Sequence, residues 1–169
     1  SANWMAAASQ PGEDAALYQA VQAGGLELCP DLEISIPVGK DSLSMQSRWQ
    51  IDGEMHSASS PVSLIITAFA RVDDVTAQLT PVLNTQLESD IWLIDLGAGK
   101  QRMGGSILAQ VQNQFGQVCP DLDSPALLKQ LAGLIIDARQ QKLLHAYHDI
   151  SDGGVFTALC EMAFASHCG

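Results

Sequence analysis

The stretch His148-Asp149-Ile150-Ser151-Asp152-Gly153-Gly154 is the most informative part of the sequence, because it joins a strand pattern to a helix pattern. Residues 144–150 predict a short strand, and the apolar spacing from Val155 to Ala163 predicts the helix that follows. Ligands of open α/β sheets bind at the carboxyl ends of strands, where such helices begin. The stretch therefore predicts a mixed α/β fold with a ligand site at this junction.

The residue types at this junction favour an anionic ligand and a cation. Glycines allow backbone N–H groups to approach an anion closely, and a helix N-terminus attracts negative charge. Asp149 would repel a phosphate unless a cation lay between them, so we expect Asp149 to bind Mg²⁺. The alternative is that Ser151 or Asp152 only caps the helix and that Gly153-Gly154 is a tight turn.

The patterns around this junction extend the α/β prediction along the chain. Downstream of a weakly patterned region at 73–90, strands are predicted at 91–96 and 144–150, and helices are predicted to begin near Gly105-Ser106 and at Ser124-Pro125. Upstream, we expect a helix after Gly12 that Pro30 closes, and strands at 32–38 and 63–70. Asp52-Gly53 predicts a turn. The change at 73–90 predicts two parts, 1–75 and 88–169, joined by a linker at 76–87.

Two further stretches combine glycine with charged side chains. Gly39-Lys40-Asp41-Ser42 follows a predicted strand and lacks the spacing of a phosphate-binding P-loop. It predicts a loop with one cation and two oxygen donors, or else a polar turn whose side chains bond their own backbone. Residues 97–106 contain glycines and two cations, which fit either an anion site or, more simply, a mobile connector.

The composition excludes several classes of protein. The 169 residues include 8 Lys+Arg and 19 Asp+Glu, which give a net charge of −11 and argue against nucleic-acid binding. Hydrophobic types make up 47% of the chain, enough to form a core and too many for a disordered protein. There is no apolar run long enough for a membrane helix, and the four cysteines lack zinc or redox spacing. We expect a cytoplasmic protein.

Five phrases of the sequence resemble one enzyme family. They are SANWMAAA (1–8), PGEDAALYQAV (11–21), IPVGKDSLSMQSRW (36–49), SPVSLIITAFARV (60–72) and HDISDGGVFTALCEMAFASHCG (148–169). In this order they resemble the large single-chain phosphoribosylformylglycinamidine synthases, or FGAR amidotransferases, of purine biosynthesis. The resemblance implies two partial subdomains of the aminoimidazole ribonucleotide (AIR) synthetase-like fold, from the second of two fused copies.

The resemblance also assigns roles to residues of the junction. Asp149 matches a carboxylate that binds Mg²⁺, and Ser151 matches a serine that binds the nucleotide. Gly153 and Gly154 belong to the same nucleotide-binding turn. The implied cofactors are ATP or ADP and Mg²⁺.

A second group of residues matches a loop that contacts nucleotide, metal and substrate in smaller relatives. Gly39, Lys40 and Ser42 fall in this loop. Lys40 stands where the relatives have a metal-binding asparagine, and a cation cannot bind Mg²⁺, so we expect Lys40 to neutralise phosphate. The role of Asp41 is left open, and no catalytic residue is assigned.

The resemblance implies a larger ligase, of which this chain is an internal fragment. The whole enzyme uses ATP and glutamine to convert FGAR to its amidine, FGAM. Its glutaminase and first synthetase copy are the expected partners of this fragment, which should be inactive alone and should self-associate. The alternative is a structural or interaction module without turnover. Neither nucleic acid nor a membrane is an expected partner.

Overall fold

The computed structural model describes residues 1–169, which form two compact units, Ser1–Arg71 and Val72–Gly169. The chain mixes helices and strands, as the sequence predicts. No helix is both long and apolar enough to cross a membrane.

The first unit is built around a three-stranded sheet. Strand β1 (Ala2–Met5) lies in the centre, parallel to β2 (Gly39–Ser42) and antiparallel to β5 (Ser63–Ile66). Small side chains and Trp4 on and after β1 form the buried core; they are Ala2, Trp4, Ala6 and Ala7. The core of this unit thus lies on its central strand and on the residues that directly follow it.

A helical segment and a hairpin complete this unit. Helix α1 (Glu13–Gln22) continues through a π-helical segment (Ala23–Leu28) into α2 (Cys29–Asp31). The helical segment therefore extends one residue beyond Pro30, which lies in the first turn of α2, where a proline is tolerated. Strands β3 (Gln46–Ile51) and β4 (Glu54–Ser59) pair around the predicted turn at Asp52-Gly53, where both residues have positive φ.

Two predicted strands of the first unit differ from the structure. The residues at 34–38 form no strand, and the pairing begins at Gly39 instead, because Glu33 has a left-handed φ of 58° that breaks the extended run. Strand β5 ends at Ile66, opposite Ala2, and does not continue to Ala70.

The second unit consists of three helices joined by long segments without strands. They are α3 (Ile107–Val111), α4 (Pro125–Gln140) and α5 (Gly154–Ser166), and each begins where the sequence predicts it. The buried side chains are Ala109 on α3 and Ala158 and Met162 on α5. The strands predicted at 91–96 and 144–150 are wrong, because neither segment forms a ladder with a partner.

The segment predicted as a linker, 76–87, contains no helix or strand but bonds to two helices of the second unit. The Arg139 side chain on α4 donates to the Ala77 carbonyl at 3.2 Å. The Leu83 N–H donates to the Ser166 hydroxyl on α5 at 2.7 Å. These bonds hold the segment against the helices that follow it.

Candidate functional site

The turn between Asp149 and α5 is the first candidate site. The Gly154 N–H donates to the Ser151 carbonyl at 3.0 Å, which closes a tight turn immediately before the helix. Helix α5 has Gly153 as its N-cap and no side-chain cap, so the interpretation of Ser151 or Asp152 as a cap is wrong. The tight-turn interpretation is confirmed. Ser151 and Asp152 are exposed and do not cap α5.

Gly153 and Gly154 both need the conformational freedom of glycine. Their φ angles are 87° and 70°, in the left-handed region that side chains with a Cβ disfavour. A Cβ at Gly153 would also lie 2.1 Å from the Thr157 hydroxyl, which donates to the Gly153 carbonyl at 3.1 Å. A Cβ at Gly154 would meet no atom within 4 Å.

The N-terminus of α5 differs from those of the other two helices of this unit. Ser106 and Ser124 are the N-caps of α3 and α4, and their hydroxyls accept backbone N–H groups at 3.1 and 3.4 Å. Helix α5 has neither a side-chain cap nor an acidic residue in its first turn. Its first N–H groups therefore lack a side-chain acceptor, which is the arrangement that suits an anion.

The carboxylate of Asp149 is open to solvent, with 81% of the side chain exposed. The neighbouring His148 ring is 20% exposed, and its Nε2 lies 2.6 Å from Oε2 of Glu161 on α5. Its Nδ1 lies 3.7 Å from Oδ1 of Asp149, which is too long for a hydrogen bond. The pair of His148 and Glu161 could not be predicted from the sequence, because thirteen positions separate the two residues and the phase of α5 decides their contact.

The side chains at this turn suit a metal ion that is bound jointly by one carboxylate and by the phosphates of a nucleotide. No group of three or more His, Cys, Asp or Glu side chains lies close enough together to hold a metal ion. Mg²⁺ usually keeps several waters and takes one or two carboxylates together with phosphate oxygens. Asp149 alone fits that donor set and does not fit a metal site formed by protein ligands only.

The second candidate group lies on a strand and not in a loop, which corrects the sequence prediction. Lys40 and Ser42 are two positions apart on β2, so they share one face, and the Lys40 ammonium donates to the Ser42 hydroxyl at 3.0 Å. Asp41 lies on the opposite face by the same alternation. The alternative of a polar turn is also wrong, because β2 pairs with β1 over its whole length.

Gly39 has a structural role at the start of this strand. A Cβ there would lie 2.7 Å from the Ala2 carbonyl oxygen, so only glycine allows this close approach of β2 to β1. Asn3 pairs in register with Lys40, and its buried Oδ1 has no hydrogen-bond partner. The sequence carries no signal for Asn3, because its position depends on the strand register.

The glycine-rich segment at 97–106 is fixed to its neighbours. The Asp95 carboxylate accepts the N–H groups of Gly97 and Gly99, both at 2.7 Å, and so occupies the amides that an anion would use. Lys100 and Arg102 both bond to Asp123, and their hydrogen bonds lower the pKa of that carboxyl. The segment is an anchored connector whose two cations are already paired.

The structure thus brings the predicted residues together as two groups, each within its own unit. The turn before α5 and the residues next to it contain Asp149, Ser151, Gly153 and Gly154. Gly39, Lys40 and Ser42 follow one another along β2.

Two family models match the chain. Residues 1–71 match the FGAR-AT PurM_N-like domain, and residues 92–169 match the C-terminal domain of AIR synthase related proteins. The two matches lie in the order in which the two units follow each other, and together they leave only a short segment unmatched. The chain therefore belongs to the synthetase region of the FGAR amidotransferase family of purine biosynthesis, with an AIR synthase-like fold.

Proposed function

We propose that this chain forms part of a Mg-nucleotide site in a cytoplasmic ligase that uses ATP and glutamine to convert FGAR to FGAM. The observation that carries the proposal is the turn before α5. There an exposed carboxylate, a glycine pair with left-handed φ and helix N–H groups without a cap lie within six residues of one another. The family matches support the reaction class.

The chemistry of this turn suits the phosphates of a nucleotide. The N–H groups of the first turn of α5 would donate to phosphate oxygens, except that of Gly154, which bonds to the Ser151 carbonyl, and the helix dipole would favour the phosphate charge. Asp149 would hold a Mg²⁺ that the same phosphates share, since the carboxylate alone would repel them. Ser151 is exposed beside the turn and can donate its hydroxyl to the nucleotide.

Residues of β2 supply the second part of the proposal. Lys40 and Ser42 present an ammonium and a hydroxyl on one strand face. We assign to Lys40 the neutralisation of a phosphate charge, because an ammonium donates hydrogen bonds and cannot bind a metal. Gly39 would act indirectly by allowing the close pairing that fixes Lys40.

A thermal-shift experiment tests the nucleotide site. A ligand that binds only the native state raises the free energy of unfolding, by about 2.7 kcal/mol at a hundred times its Kd, and so raises the melting temperature. We expect Mg-ADP to raise the melting temperature, ADP with EDTA to do so far less, and the shift to be lost in D149A. A shift of equal size in D149A would contradict the role of Asp149.

The isolated chain is not expected to form the amidine. The proposed site residues bind and orient, and none of them is a nucleophile or a general base. Turnover of FGAR by this chain, with ammonia as the nitrogen donor, would contradict this expectation.

A second candidate function is docking against the rest of the parent chain. The accessible surface is 13095 Å², whereas two separate globular units of roughly 9 kDa each would expose about 9,700 Å² in total. The excess of about 3,400 Å² exceeds the ~1,600 Å² of a standard interface. Many large apolar side chains are exposed, among them Phe69, Trp92, Phe115 and Phe156.

We propose that these apolar faces pack against the first synthetase copy and the glutaminase, and that they make the isolated chain self-associate. Where exposed apolar side chains adjoin one another, they mark interaction surfaces. Light scattering should therefore report a mass above 18.0 kDa that rises with concentration. A monodisperse monomer at high concentration would contradict it. Binding of Mg-ADP separates the two candidate functions, because docking alone predicts no nucleotide-induced shift.

A further inference from the structure

The contact between His148 and Glu161 joins the segment before the turn to the middle of α5. The distance from Nε2 to Oε2 is 2.6 Å, and the ring is four-fifths buried while the carboxylate is half exposed. An ionised carboxylate can only accept, so the imidazole donates from Nε2. Hydrogen bonds to a charged acceptor are shorter and stronger than neutral ones.

The two residues of this contact flank, along the chain, every candidate nucleotide-binding residue of the second unit. Asp149, Ser151, Gly153 and Gly154 all lie between His148 and Glu161 in the chain. Because this stretch contains two glycines with left-handed φ, it has large conformational freedom if no contact joins its two ends. Joining the ends removes part of that freedom before a ligand binds.

The same ring leaves the neighbouring carboxylate available. Nδ1 lies 3.7 Å from Oδ1 of Asp149, so the ring lies beside that carboxylate without donating to it at hydrogen-bond distance. Asp149 remains 81% exposed. The ring therefore fixes the backbone next to the proposed metal ligand and does not compete with a metal.

We propose that His148 and Glu161 form a latch that positions Asp149 and the turn before α5 for a Mg-nucleotide. The inference rests on the proposed function, since it names positioning residues for the same site. A binding segment that is already ordered loses less entropy when the ligand arrives, so the latch raises affinity without touching the ligand.

Three single variants, the double variant H148A/E161A and a matched control test the latch. H148A and E161A each remove one partner, and H148Q keeps an amide nitrogen that can donate in place of Nε2. H145A is the control, because His145 is an exposed histidine of the same segment that makes no hydrogen bond or ion pair with Glu161. The readouts are the Kd for Mg-ADP and the hydrogen exchange of the amides from Asp149 to Gly154 in the ligand-free chain.

We expect H148A and E161A each to weaken Mg-ADP binding on the order of 5–10-fold, the size that the loss of a typical protein hydrogen bond has. The double variant should bind no more weakly than either single variant, since both remove the same bond. H148Q should restore most of the affinity, and H145A should leave it unchanged. Exchange of the turn amides should be faster in H148A and E161A and near that of the unmodified chain in H148Q.

The outcomes separate the latch from the site. If the unmodified chain binds Mg-ADP and H148A binds it equally well, the latch is wrong and the nucleotide site stands. If the unmodified chain does not bind Mg-ADP, the proposed function fails and hydrogen exchange alone decides the latch. Unchanged exchange in H148A would then overturn it, and faster exchange that H148Q reverses would support it.

Discussion

Gly153→Ala should destabilise the second unit more than Gly154→Ala, although both residues have positive φ. An L-residue in the left-handed region costs roughly 1–2 kcal/mol, and this term applies to both positions. At Gly153 the new Cβ would in addition lie 2.1 Å from the Thr157 hydroxyl and 2.7 Å from its Cβ. Moving Thr157 away would break its bond to the Gly153 carbonyl, at about 1 kcal/mol.

These terms predict a loss of about 2–3 kcal/mol for G153A and about 1–2 kcal/mol for G154A. In a unit of this size the larger loss lowers the melting temperature by about 10–20 °C. Urea unfolding followed by circular dichroism measures both free energies. In a T157A background the hydrogen bond to the Gly153 carbonyl is already absent, so G153A should cost about 1 kcal/mol less, although the close approach to the Cβ of residue 157 remains.

Equal destabilisation by G153A and G154A would refute this reasoning. So would a G153A penalty that T157A leaves unchanged, because the Thr157 hydroxyl and its bond to the Gly153 carbonyl would then contribute nothing. Either result would mean that the turn before α5 has a different conformation from the one that the proposed site needs.

Two further predictions concern the anchored connector and the helix caps. Lys100 and Arg102 donate to the Asp123 carboxylate and so lower the pKa of Asp123 in the folded chain. The stability that this carboxylate contributes is therefore complete above the unfolded pKa of about 3.9. It is lost as the pH falls through the lower pKa of the folded chain. Unfolding free energies between pH 6 and pH 2 should fall less steeply in D123N, and parallel profiles would contradict the pairing. Ser124→Ala removes the cap of α4 and should cost about 1 kcal/mol of unfolding free energy. S106A removes the corresponding N-cap bond from the shorter α3. An S124A chain as stable as the unmodified one would show that the cap of α4 does not contribute to stability.

The sequence predicts the helix starts well because their causes are local. Ser106 and Ser124 accept N–H groups three residues ahead, and Gly153 and Gly154 supply the positive φ that precedes α5. Each of these signals lies within a few residues of the helix it starts. Periodicity and capping therefore suffice for this part of the fold.

The sequence predicts the strands poorly because a strand depends on a distant partner. The apolar runs at 91–96 and 144–150 have strand periodicity, yet neither finds a ladder within this chain. The residues from Gly39 to Ser42 look like a loop but pair with β1, since Gly39 alone allows the approach to the Ala2 carbonyl. Register and approach distance are tertiary properties that a local pattern does not contain.

The candidate site divides in the same way. Asp149, Ser151 and the two glycines are contiguous, so their chemistry could be inferred together from one stretch. The contact of His148 with Glu161 could not, because it depends on where α5 begins and on which side of the helix position 161 lies.

We propose that Asp149 holds a divalent ion shared with nucleotide phosphates at the turn before α5. A crystal structure of the chain with ADP and Mn²⁺, whose anomalous signal marks the metal, tests this role of Asp149. We expect an anomalous peak about 2.1 Å from an Asp149 oxygen, as for Mg²⁺, with phosphate oxygens facing the N–H groups of the first turn of α5. An Asp149 carboxylate without metal, or a nucleotide bound away from this turn, would contradict it.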